Sequence, residues 1–256
     1  MNQRRALFLA FSVAAASTSA WAQTDPKATE QWEPVPKVVS PGKQNSAPPS
    51  DAIVLFDGHD LSKWEASKDH SPANWKVHDG VVTVDKATGN IQTKQKFTNY
   101  QIHLEWQVPK DITGDGQARG NSGMYVASTG PGDEGYEIQI LDSYNNKTYV
   151  NGQAGSVYKQ TPPLANAMRP PGEWQTYDAI WTAPVFAADG SLKSPAYITL
   201  FHNGVLVQNH AQLAGETLYI GKPKYNAYTE APIKLQAHGD HSQPISFRNI
   251  WVRPLD

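Results

Sequence analysis

From Asp51 to the C-terminus the sequence is cut into short runs that alternate apolar and polar residues, broken by Gly, Pro, Asn and Asp, with no sustained helical period. "AIVLFD", "WKVHDGVVTVD", "YQIHLEWQV", "SGMYVAS", "YEIQILD", "WQTYDAIWTA", "AYITLFHNGVLVQNH", "IKLQAH" and "SFRNIWVRPL" each read as a strand or a hairpin. Asp79-Gly80 and Asn203-Gly204 supply the positive backbone angles that tight hairpin turns require. Roughly ten strands without crossover helices leave one economical arrangement, two packed antiparallel sheets. The expected fold is all-β, a jelly-roll sandwich.

What precedes this region is different. "MNQRRALFLAFSVAAASTSAWA" has a basic start, an apolar stretch too short to span a bilayer and an Ala-Trp-Ala cleavage site, so residues 1–22 read as a secretory signal peptide. The expected location is the periplasm or outside the cell. Residues 23–50 are dense in Pro and polar groups, an extended arm that Trp32 would pin to the domain at 51–256. With no cysteine there is no disulfide framework, and stability must come from packing. A net charge of -2 and the lack of any Lys/Arg run exclude an electrostatic footprint for nucleic acid, and no segment is built for membrane insertion. Nothing in the pattern fixes an oligomeric state.

Side chains alternate across a strand, so each run can be split into two faces. Ile102, Leu104, Trp106 and Val108 form an apolar face and leave His103, Glu105 and Gln107 opposite. Tyr136, Ile138 and Ile140 leave Glu137 and Gln139; Ile233, Leu235 and Ala237 leave Lys234, Gln236 and His238. Solvated strand faces favour Thr, Lys and Ser, whereas His, Glu and Gln bind sugar hydroxyls and move protons. The polar sets are therefore either ordinary outer faces or the lining of one cleft. Asp142 shares parity with the isoleucines, so either the strand ends before it or a bulge turns it toward Glu137. Asn121 and Ser122 sit between glycines, where backbone can approach a ligand closely. Eight Trp and eleven Tyr suit both sugar stacking and a sandwich core. "HGDHSQP" lacks the spacing of a zinc motif, "DITGDGQARGNSG" lacks the terminal Glu of a calcium loop, and there is no nucleophile elbow.

"LFDGHDLSKW", "NSGMYV", "YEIQILD", "GSVYK", "GEWQTYDAIW", "HNGVLV" and "LQAHGDHSQPISFRNIWVRPL" follow one another in an order and spacing that resembles the 3-keto-disaccharide hydrolase domain family, over roughly Ile53 to Leu255. The resemblance implies a concanavalin-like jelly roll acting on an oligosaccharide or glycoside already oxidised at carbon 3. It also implies that Glu105, Asn121, Ser122, Tyr125, Glu137, Gln139, Asp142, Gln236, His238 and Arg248 match recurrent polar positions of that family. Fold likeness alone is equally compatible with a carbohydrate-binding module that turns nothing over.

The chemistry so implied suits a Glu flanked by an amide. Ordinary glycosidases need two carboxyl groups about 5 to 10 Å apart, and Gln139 cannot be one of them. A carbonyl at carbon 3 acidifies the hydrogen on carbon 2, so one base, an enolate stabiliser and one acid suffice for elimination of the carbon 1 substituent. The expected base is Glu137 or His238; the stabiliser is Arg248 with Gln139 or Asn121, or a divalent cation; the acid is Glu105 or Asp142. Hydration then makes the net reaction a hydrolysis. No other cofactor is expected. Arg248 shares parity with Ile250 and Val252, so it reaches such a site only through a bulge.

Overall fold

The computed structural model describes residues 25–38 and 47–255, so the expected signal peptide and part of the arm lie outside the described residues. Two antiparallel sheets dominate. The larger, eight-stranded one runs Val205–Gln212, Tyr197–His202, Trp174–Thr182, Tyr100–Gln107, Ser246–Pro254, Val81–Thr83, Lys76–His78, with Ile53–Phe56 also paired to Ser246–Pro254. The smaller runs Trp64–Ala66, Ile91–Thr93, Lys234–Leu235, Ser122–Ser128, Gly135–Ile140. Local hairpins, such as Ser122–Ser128 with Gly135–Ile140, are joined by pairings between strands far apart in sequence, such as Tyr100–Gln107 with Ser246–Pro254, which is the wound connectivity of a jelly roll. Among the described residues the only helical elements are three 3₁₀ turns.

The core lies where the inner faces meet. Ile102, Leu104 and Trp106 of the larger sheet are buried with Met124, Ile138, Ile140 and Leu235 of the smaller one. A fully buried aliphatic such as Ile138 contributes about 1.5–3 kcal/mol. Two tyrosines reach across the core: the Tyr177 hydroxyl donates to the Gln139 carbonyl at 2.7 Å, and the Tyr100 hydroxyl donates to that of Val126. Each ties one sheet to the other. The two turn dipeptides behave as their residue types require, with Asp79 and Gly80 at φ 50° and 77° and Asn203 and Gly204 at 53° and 78°.

Two details of register decide where functional side chains go. The strand beginning at Gly135 ends at Ile140, so Asp142 lies beyond it, and no bulge turns it outward. A bulge does interrupt the pairing between Arg248 and Trp251, with Asn249 at φ 47°. It lets Arg248 face away from the core while Ile250 and Val252 remain inside.

Candidate active site

The outer face of the smaller sheet carries the cleft. Tyr125 pairs with both Glu137 and Lys234, and Gly123 pairs with Gln139, so these positions share a face. Gln236 extends the same row, its N–H donating to the Gly123 carbonyl at 3.0 Å. Asn121 and His238 stand at its end. Together Asn121, Tyr125, Glu137, Gln139, Gln236 and His238 line a cavity of about 630 Å³, closed in by Tyr149, Tyr158, Tyr219, Gln117, Asp133 and Asp240 from loops. The volume suits a ligand of sugar size.

Glu137 is 4% exposed. Burial, helped by the negative charge of Asp133, pushes its carboxyl up to about 8, against the opposing pull of Tyr125 and Lys234. It is therefore a neutral, proton-bearing acid at pH 7. Gly123 makes its seat: a Cβ there would lie 2.6 Å from Glu137 Oε1. The Gln139 amide has acceptors on both sides, Glu137 Oε1 at 3.3 Å and the Ser122 carbonyl at 2.9 Å on one and Gln117 Oε1 at 2.9 Å on the other, so its NH2 group serves one side at a time.

His238 has a different environment. Its Nδ1 lies 2.9 Å from Asp240 Oδ2. Burial acts to raise the Asp240 carboxyl, but hydrogen bonds from His238, Ser242 and Lys86 outweigh it and hold that group well below the usual range. An ionised carboxylate can only accept, so Nδ1 carries the proton. The Asp240 backbone N–H also approaches Nδ1, at 3.2 Å, but the shorter contact to the carboxylate decides the tautomer. Nε2 is then a free lone pair, consistent with the Asn121 amide nitrogen pointing at it from 3.4 Å. Lys86 Nζ fixes Asp240 in turn, donating to its Oδ1 at 3.0 Å and to its carbonyl at 2.8 Å.

Loops complete the wall. The Tyr149 and Tyr158 hydroxyls share a hydrogen bond of 2.7 Å, and the Gly152 carbonyl between them accepts from Gln117 Nε2 at 2.9 Å. Lys234, fully buried, donates to the carbonyls of Gly130, Gly132 and Glu134 and so anchors the loop that brings Asp133 to the cavity. Among the described residues no three His, Asp or Glu side chains converge as a metal cluster.

Four candidate residues fall elsewhere. Glu105 and Arg248 lie on the outer face of the larger sheet, across the sandwich from the cavity, and pair with each other at 2.6 Å. Glu105 also accepts from Asn249 at 3.0 Å, while His103 bonds Asp178 at 2.7 Å and stacks on Trp251. Burial raises the Glu105 carboxyl, yet His103, Asn249 and Arg248 together bring it down to about 2. It is an ion-paired brace with no route to the cleft. Asp142 is fully buried, 2.7 Å from Arg119 Nε and accepting from the Tyr144 N–H at 3.0 Å. Ser122 pairs with Ile140 on the core side, and its hydroxyl donates to the Gln236 carbonyl at 2.7 Å. Conversely, Asp240, Gln117, Asp133, Tyr149, Tyr158 and Tyr219 were not among the expected site residues, and Lys234 of the polar row serves the cavity only by anchoring the Asp133 loop. Most come from loops, where strand alternation carries no signal.

The polar, tyrosine-walled cleft on one sheet of this all-β sandwich has the surface that stacks on and hydrogen-bonds sugars. Residues 51–253 match the 3-keto-alpha-glucoside-1,2-lyase-like domain, and the chain belongs to that family. A 3-keto-disaccharide hydrolase of Bacteroides thetaiotaomicron is 25% identical over 80% of this chain and 78% of its own length. A solved structure from Parabacteroides distasonis, described as a glycosyl hydrolase, is 55% identical with a TM-score of 0.78, covering 90% of this chain and 96% of that one. A second from the same organism, at 22% identity and TM-score 0.57, covers 80% of this chain and 94% of its own and supports the fold. At this level the chain is a glycoside-cleaving enzyme of the glycosyl hydrolase type.

Proposed function

We propose that the protein cleaves 3-keto-glycosides by elimination followed by hydration, with His238 as base and Glu137 as acid. What supports this most is the pairing of opposites in one cavity: an unprotonated, carboxylate-oriented imidazole nitrogen and a buried carboxyl that keeps its proton at neutral pH. His238 Nε2 takes the hydrogen from carbon 2, and the electrons of that bond form an enolate with the carbon 3 carbonyl. The Gln236 amide, which lines the cavity, is the donor for the enolate oxygen, while Asn121 orients His238. As the enolate collapses to a carbon 1–carbon 2 double bond, the bond from carbon 1 to the aglycone oxygen breaks and Glu137 supplies that oxygen with a proton. Glu137, now a carboxylate, takes a proton from water as it adds to carbon 1; the imidazolium, 36% exposed and exchanging its proton with solvent, delivers a solvent-derived proton to carbon 2. Both groups end as they began, and the sum is hydrolysis.

Turnover of a 3-keto-disaccharide in deuterium oxide tests the route. Early product should carry deuterium at carbon 2 beyond what free product acquires under the same conditions. Product without excess label, together with an unchanged rate for substrate deuterated at carbon 2, would mean direct displacement. A non-catalytic binding role is separated by the same assay, since the unmodified glycoside and its 3-keto derivative would both be recovered intact.

A further inference from the structure

The arm that precedes the family-matched span is docked onto the cleft. Thr29 and Gln31 are held by one buried side chain, Asn151, whose Nδ2 donates to the Thr29 carbonyl at 2.9 Å and whose Oδ1 accepts from the Gln31 N–H at 3.1 Å. Lys159 Nζ donates to the Pro26 carbonyl at 2.9 Å, the Val150 N–H donates to the Gln31 carbonyl, and Trp32 meets Tyr149 edge to face with ring centres 6.4 Å apart. Lys37–Val38 then adds a short parallel pairing to Ala165–Asn166. These anchors grip the very loop that supplies Tyr149 and Tyr158 to the cavity. Between them the arm puts Glu30 into the cavity lining.

Glu30 changes the electrostatics of that lining. The ionisable groups facing the cavity are four carboxyls, Glu30, Asp133, Glu137 and Asp240, and one imidazole, with no Lys or Arg among them. The ammonium groups of Lys159 and Lys234 stay charged and interact with Glu30 and Asp133, but they sit behind the lining, held by backbone carbonyls. Glu137 is neutral and the charge of Asp240 is matched by Lys86. The charges that line the cavity itself are therefore the carboxylates of Glu30 and Asp133, with the positive ends of their pairings behind the wall. Low-dielectric walls concentrate such a field on whatever enters.

We propose that the N-terminal arm is a working wall of the substrate cleft, and that Glu30, with Asp133, selects glycosides with an uncharged or cationic leaving group over those carrying a carboxylate, sulfate or phosphate. The proposal rests on the glycoside-cleaving role of the cleft, but it can be read by binding as well as by turnover. Two 3-keto-glucosides serve as probes, one with a neutral aryl aglycone and one with the carboxylated analogue. In the full chain, Glu30→Gln should raise the anionic-to-neutral ratio of kcat/KM roughly threefold, the effect of one unit charge about 7 Å away in a solvated rim. Added salt should narrow the ratio in the wild type and much less in the variant. Trp32→Ala, which removes the edge contact to Tyr149 from a side chain 48% exposed, should loosen the arm, shift the ratio in the same direction and speed tryptic cleavage at Lys27. Calorimetric titration with the unoxidised pair reports the same preference without catalysis. Loss of turnover with that preference intact overturns the elimination mechanism and supports the arm's role. An unchanged ratio in Glu30→Gln, by turnover and by binding, overturns the arm's role.

Discussion

Replacing Glu137 by glutamine should stabilise the folded protein while abolishing turnover, and the stabilisation should depend on pH. The wild-type carboxyl is raised from 4.5 to about 8 in the folded state, chiefly by burial. Between those values the folded protein holds a proton that the unfolded chain has released, so stability falls as pH rises through the window. Below it the two states are equally protonated and the group contributes no difference. A displacement of about 3.5 units corresponds to about 5 kcal/mol at full deprotonation, and to about 3 kcal/mol at pH 7. Glutamine is nearly the same size and cannot ionise, so it removes the whole dependence. Urea unfolding of both proteins near pH 4, 7 and 9 should show the variant gaining about 3 and then about 5 kcal/mol relative to the acid condition. Groups common to both proteins cancel in the difference. A gap that stays flat over this range would refute the claim that Glu137 is stored neutral, and with it the acid role.

Asp240→Asn should lower kcat by about 10²–10⁴ with little change in KM, because an amide nitrogen facing Nδ1 favours the tautomer whose Nε2 is already protonated; steady-state kinetics of a correctly folded variant decide it, and a fall confined to KM would contradict the assignment. Glu105→Gln should cost about 2–3 kcal/mol, since it leaves Arg248 and His103 poorly matched, yet retain turnover. Glu105 sits at about 2 in the folded state, so its contribution is complete above pH 4.5 and drains away as pH falls toward 2; acid titration of stability should lose that limb in the variant.

The fold was legible in the sequence because strand alternation and turn chemistry are local. Ile138 and Ile140 must share a face, and Asn203-Gly204 must turn, whatever surrounds them. Parity also separated the polar residues of each strand from the core correctly. What it cannot supply is which of two outer faces a polar row belongs to. A sandwich has one on each sheet, and "HLEWQ" and "YEIQILD" alternate identically, so Glu105 was grouped with Glu137 although the core lies between them. Arg248 needed the bulge that the structure contains, but that bulge turns it toward Glu105 on the far side. Asp142 followed its parity inward because the strand stops at Ile140, and Arg119 meets the charge there. Asp240, Tyr149 and Tyr158 reach the cavity through loop geometry, which depends on partners scattered along the chain.

Gly123 gives the cleft an unusual kind of permanence. The glycine is placed at the centre of a strand, and what it contributes is a missing atom beneath the Glu137 carboxyl. The depth of that hollow is set by ladder hydrogen bonds on both sides of the strand, which cannot drift as a side chain can change rotamer. The acid's hold on its proton is thus inscribed in main-chain geometry, and the strength of an acid that serves the chemistry is fixed by the same bonds that keep the sheet together.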